Sequence, residues 1–170
     1  MQRSRSQTKG WIGTQKPPRP ETAFNVVLSV SPNVEDGASL ERIFKSGWGI
    51  SSSATVASAL SVLQETPIPI VICDCDIASG TWREMLDHIP LLPDPPLLIV
   101  TSQLADERLW AEALNLGAWD VLAKPFDADE VIRTVSVAWQ HWQERHDVHT
   151  SRTEQRKSAK GSSHMAASGT

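Results

Sequence analysis

The sequence predicts an α/β protein: a three-layer α/β/α sandwich around a five-stranded parallel sheet in the order 2-1-3-4-5. Three observations carry this expectation. The run Ile70-Val71-Ile72-Cys73 is continuously apolar and ends on Asp74, as a central strand buried on both faces does. Short β-rich runs of this kind alternate five times with segments whose apolar residues recur at helical spacing. The second and fifth runs are short or weakly apolar, which suits edge positions, and right-handed crossovers then place helices on both faces of the sheet. In that order the crevice opens between the first and third strands, beyond their carboxyl ends.

Taken in order, Phe24 to Val30 supplies the first strand and Ser31-Pro32-Asn33 turns the chain. Leu40, Ile43 and Phe44 mark a helix that Gly47 stops. Trp48 to Ser51 forms an edge strand, and the next helix shows the apolar face Val56, Ala59, Leu60 and Leu63. The strand ending at Asp74 follows. Trp82, Met85, Leu86 and Ile89 mark a short helix before the breaker-rich Pro90 to Pro96. Leu97 to Val100 is the fourth strand and ends on Thr101-Ser102. Leu109, Trp110, Ala113 and Leu116 then face the core from a helix that Gly117 terminates. Val121 to Ala123 is the fifth strand. The last helix opens with Asp127 and Glu130 in capping-box spacing and buries Val131, Ile132, Val135, Ala138, Trp139 and Trp142.

Composition divides the chain into a basic arm over 1–22, one folded domain over 23–143 and a polar tail over 144–170, with both ends expected to be disordered. Of 16 basic and 20 acidic side chains, residues 20–144 hold 6 and 18, because the two ends account for 10 and 2. An acidic body of net charge −12 argues against nucleic acid binding by the core. No apolar segment approaches the roughly 18 residues of a membrane span, and the N-terminus lacks the apolar core of a signal peptide, so a cytoplasmic location is expected. Cys73 and Cys75 flank Asp74 without further soft ligands nearby in sequence, and both read as packing residues.

Three polar side chains end strands on one rim: Asp74 after the third, Thr101 after the fourth and Lys124 after the fifth. A carboxylate beside an ammonium and a hydroxyl suits phosphoryl transfer, the first attacking phosphorus while the other two hold phosphoryl oxygens. Pro125 stiffens the loop behind Lys124.

These features resemble the receiver domain of bacterial two-component response regulators. The resemblance rests on Ile70 to Asp74 with the short loop to Gly80, on Ile99-Val100-Thr101-Ser102, and most specifically on Gly117 to Phe126 with its Lys124-Pro125-Phe126 end. It implies a flavodoxin-like receiver fold with Asp74 as phosphoacceptor, Thr101 as switch hydroxyl and Lys124 as phosphate-binding lysine. Asp74 and Asp76 are the implied Mg²⁺ ligands, the latter through its backbone carbonyl. Val121 stands where the family often carries a rotating aromatic. The departure lies at the end of the first strand, where the family's two Mg²⁺-holding acids are replaced by Ser29 and Val30. Mg²⁺ demands hard oxygen ligands, so weak or absent metal binding is expected unless Glu35, Asp36 or the Asp76 side chain compensates through a loop after Pro32 that folds back over the site.

The implied function is a stand-alone receiver in a phosphorelay, phosphorylated by a histidine kinase or phosphotransfer protein and passing the signal to a downstream protein partner, with a homodimer among its expected forms. It is not an enzyme beyond its own phosphorylation and dephosphorylation. The alternative is a phosphorylation-independent interaction module, for which Trp110 and Trp119 would be anchors; for Trp110, core packing is the expected role.

Overall fold

The computed structural model describes residues 25–163 apart from 46, 78 and 79, with side chains up to 147. Five parallel strands, β1 (Val26–Val30), β2 (Gly49–Ser53), β3 (Ile70–Asp74), β4 (Leu97–Ser102) and β5 (Asp120–Ala123), pair in the order β2-β1-β3-β4-β5. The connections are α1 (Val34–Ile43), α2 (Val56–Glu65), α3 (Trp82–His88) with a 3-10 turn at Ile89–Leu91, and α4 (Glu107–Leu116), followed by α5 (Ala128–Ser163). The expected architecture and strand order are those observed.

Alternation along each strand sorts the side chains into two layers. Leu28, Val30, Val71, Cys73, Leu98, Val100 and Val121 pack with α2, α3 and α4. Val27, Ile70, Ile72, Ile99 and Leu122 pack on the opposite face with Leu40 of α1, Phe44 at its C-cap, and Val131, Val135, Ala138 and Trp142 of α5. Short side chains cap the helices: Asn33, Thr55, Thr81 and Asp106 each accept a hydrogen bond from a backbone N–H in the first turn. Asp127 Oδ1 accepts from the Glu130 N–H at 2.9 Å, the capping the sequence predicts. Gly117 closes α4 in the left-handed conformation, φ 105°.

Gly80 is needed on two counts. Its φ is +95°, and a Cβ there would meet Val56 Cβ and Cγ2 at 2.8 Å. Gly80→Ala is expected to lower stability by about 2 kcal/mol, read as a reduced urea midpoint with an unchanged slope.

The expected burial of three side chains needs correction. Trp110 is 50% exposed rather than packed in the core: Ala113 is the α4 residue turned fully inward, and Trp110 lies on the flank of that stripe. Leu116 and Ile132, expected to face the core, are likewise exposed. The backbone of α5 continues as helix past residue 143 to Ser163; residues 144–163 hold three Arg, two Lys and two Glu among polar Ser, Thr and His, a stretch without an apolar stripe. The basic arm, 1–22, and residues 164–170 lie outside the described residues.

Candidate functional site

The strand alternation that builds the two layers also fixes the site. Asp74 shares the face of Ile70 and Ile72, and Thr101 that of Leu97 and Ile99, so both turn toward the α1/α5 layer at the carboxyl edge of the sheet. They are direct neighbours in the β3–β4 register, and the Cys75 N–H donates to the Thr101 carbonyl at 2.8 Å. Lys124 follows Leu122 on the same face of β5 and is anchored by its own N–H on the Ser102 carbonyl at 2.9 Å. The Lys124-Pro125 bond is cis.

Lys124 Nζ lies 2.7 Å from Asp74 Oδ2 and 2.7 Å from Asp36 Oδ2, and all three side chains are at least 89% buried. Ser31 Oγ donates to Asp36 Oδ2 at 2.6 Å and approaches Asp74 Oδ2 at 3.3 Å; a hydroxyl has one proton, so the shorter contact takes it. Ser31 Oγ in turn accepts from the Asn33 N–H at 3.1 Å. Asp74 Oδ1 accepts from the Asp76 N–H at 3.2 Å. Among the described residues no hydrogen bond joins the Thr101 hydroxyl to Asp74. The structure thus brings Asp74 and Lys124 into contact, places Thr101 beside them and leaves the Asp76 side chain exposed at the rim.

Electrostatics follow from this packing. Burial alone would lower the Lys124 pKa, and hydrogen bonds and charge from Asp36 and Asp74 outweigh it, so the ammonium is held above its usual 10.5. Cys73 is fully buried, and burial, with the Asp74 charge adding to it, pushes its thiol up to about 12. Burial also raises Cys75. Both thiols stay protonated at neutral pH, as packing residues should.

A sequence profile described as the response regulator receiver domain matches residues 36–136. The chain belongs to this receiver family. It is 31% identical over 121 residues to the transcriptional regulatory protein ZraR of Salmonella typhimurium, a match covering 69% of this chain and 27% of that protein. It is 29% identical over 116 residues to the C4-dicarboxylate transport regulatory protein DctD of Rhizobium meliloti, covering 63% of this chain and 25% of that one. The chain therefore spans about a quarter of the length of these curated relatives. Among solved structures, the signal receiver domain of an HD domain-containing protein from Pseudomonas fluorescens Pf-5 superposes with a TM-score of 0.68 at 19% identity, covering 78% of this chain and 98% of that one. The beryllofluoride-activated NtrC4 receiver domain dimer gives 0.64 at 23%, covering 70% and 99%. These likenesses match the fold described above.

Sequence reading singled out Asp74, Thr101, Lys124 and Asp76 but gave Asp36 only a conditional role and Ser31 none. Asp36 reaches the site on the first turn of α1, not on a folded-back loop, whereas Glu35 is exposed. A signal was present: Asp36, Leu40 and Phe44 are spaced four apart and are all buried, so a carboxylate lies on the inward stripe of α1 at its rim end.

Receiver domains take Mg²⁺ through acidic residues, and the donor set here fits that ion with few charged oxygens. Carboxylate atoms of Asp74 and Asp76, with Cys75 Sγ, lie within 4.8 Å of one another, while Ser29 and Val30 offer none. The two carboxylates would hold the ion.

Proposed function

We propose that residues 23–143 form a cytoplasmic receiver that accepts a phosphoryl group on Asp74 and relays the signal to a partner protein. The observation that carries this reading is the buried contact of Lys124 Nζ with Asp74 Oδ2 at 2.7 Å, flanked by Thr101 in the adjacent register position. In the reaction, a carboxylate oxygen of Asp74 attacks the phosphorus of a phosphohistidine on a histidine kinase or phosphotransfer protein. The O–P bond forms as the N–P bond breaks, and the imidazole nitrogen keeps the electron pair. Lys124 offsets the negative charge on the phosphoryl oxygens, and Thr101 donates to one of them once the phosphoryl group is in place. Bound Mg²⁺ would add Lewis-acid neutralisation of those oxygens; with Ser29 and Val30 in place of acids, its binding at Asp74 and Asp76 is weak. The chemistry is confined to the chain's own phosphorylation and dephosphorylation, so it is not an enzyme toward a separate substrate.

Output passes through an apolar surface in this reading. Trp110 and Leu116 of α4 and Ile132 and Val137 of α5 are exposed, and they supply anchors for a partner or a second copy. Among the described residues no helix is long and apolar enough to cross a membrane.

The test is titration of the full chain with beryllofluoride and Mg²⁺, following the amide signals of Asp74, Thr101 and Lys124. Saturable shifts that spread into α4 are expected. A folded protein that does not respond at millimolar Mg²⁺ would instead support an interaction module that works without phosphorylation, a reading favoured by the absent acid pair.

A further inference from the structure

We propose that Asp36 is a positioning residue of the phosphoacceptor site: from the first turn of α1 it holds the Lys124 ammonium in place whatever the charge on Asp74. This rests on the receiver reading above and goes beyond it by assigning a role to a residue outside the family's strand-end set.

The Lys124 ammonium is a point charge on a flexible four-carbon stem with three N–H donors. Two of them are spent here, one on Asp36 Oδ2 and one on Asp74 Oδ2, each at 2.7 Å. The third is left for a phosphoryl oxygen. Before transfer, two carboxylates share the ammonium. After transfer, one oxygen of Asp74 is bonded to phosphorus and that residue has lost its own charge. Asp36 is untouched by this change and remains as the fixed partner.

Asp36 is itself held, which a positioning group requires. Its Oδ2 accepts from Ser31 Oγ at 2.6 Å, and Ser31 is tied through the Asn33 N–H to the start of α1. Its backbone N–H donates to the Asn33 carbonyl at 3.2 Å. Four residues on, Leu40 is fully buried and fixes the helix against the sheet. The carboxylate therefore belongs to a rigid element, whereas the Lys124 stem does not.

The full chain is compared with Asp36→Asn and Asp36→Glu. The Lys124 Nζ–H signal, observed at low temperature and slightly acid pH, is expected to be protected from exchange in the parent, lost or displaced in Asp36→Asn, and recovered in Asp36→Glu. Labelling of Asp74 by acetyl phosphate with Mg²⁺ should slow about tenfold in Asp36→Asn, the scale of one charge-assisted hydrogen bond, and recover in Asp36→Glu. Should Asp36→Asn fail to fold, Ser31→Ala, which keeps both carboxylates and removes the hydroxyl that donates to Asp36 and accepts from the Asn33 N–H, is expected to move both readouts in the same direction by less. Unchanged lysine signal and unchanged labelling in a folded variant would overturn the proposal. A lysine signal that depends on Asp36 in a parent chain that takes no label would uphold the clamp and reject the receiver reading instead.

Discussion

Lys124→Met is expected to destabilise the folded chain by about 3 kcal/mol at neutral pH, because it leaves two buried carboxylates facing each other without a counter-charge. Asp36 and Asp74 both direct Oδ2 at the ammonium, so its removal turns two attractions into one repulsion. The urea midpoints of variant and parent should converge at the alkaline end. The folded-state pKa of Lys124 is raised, so its contribution is complete below the ordinary lysine value and disappears as pH rises through the folded one. A loss below about 1 kcal/mol would place the trio among ion pairs of surface strength.

The second large effect concerns chemistry rather than stability. Asp74→Asn should abolish acid-labile phosphate on the chain, a decrease of at least about a hundredfold, since an amide oxygen is a poor nucleophile beside a carboxylate. The fold should survive, because Lys124 keeps Asp36 as a partner. Phosphate labelling with a cognate donor, followed by acid and base stability of the product, reads the result. Label persisting on the variant would move the acceptor elsewhere, and full cellular activity with no label on either form would favour the interaction module.

Much of this architecture was legible because each strand and helix carries its own pattern. The continuous apolar run before Asp74 signalled burial on both faces, and the polar residues closing β3, β4 and β5 marked one rim. The exposure of Trp110 was less legible: with Leu109, Ala113 and Leu116 it forms an apolar arc wider than the stripe α4 turns inward, and only packing against β5 and the core beneath it selects Ala113. The Asp36 contact was hidden for a different reason. It joins residues 88 apart in the chain, and such a contact follows from the crossing of α1 over the sheet edge rather than from either local pattern. The helical continuation past residue 143 carries no apolar periodicity, so no such pattern announced it.

The carboxylate supplied by α1 bears on how the charge of such a site is read. A charge required at the rim is not bound to one strand position, because any helix whose inward stripe reaches the same edge can deliver it. Here Ser29 and Val30 of β1 carry no charge, while Asp36 of α1 brings a carboxylate to within 2.7 Å of Lys124 Nζ at that edge. The ionic balance of such a rim is therefore read from what converges on it in space, not from the letters of one strand.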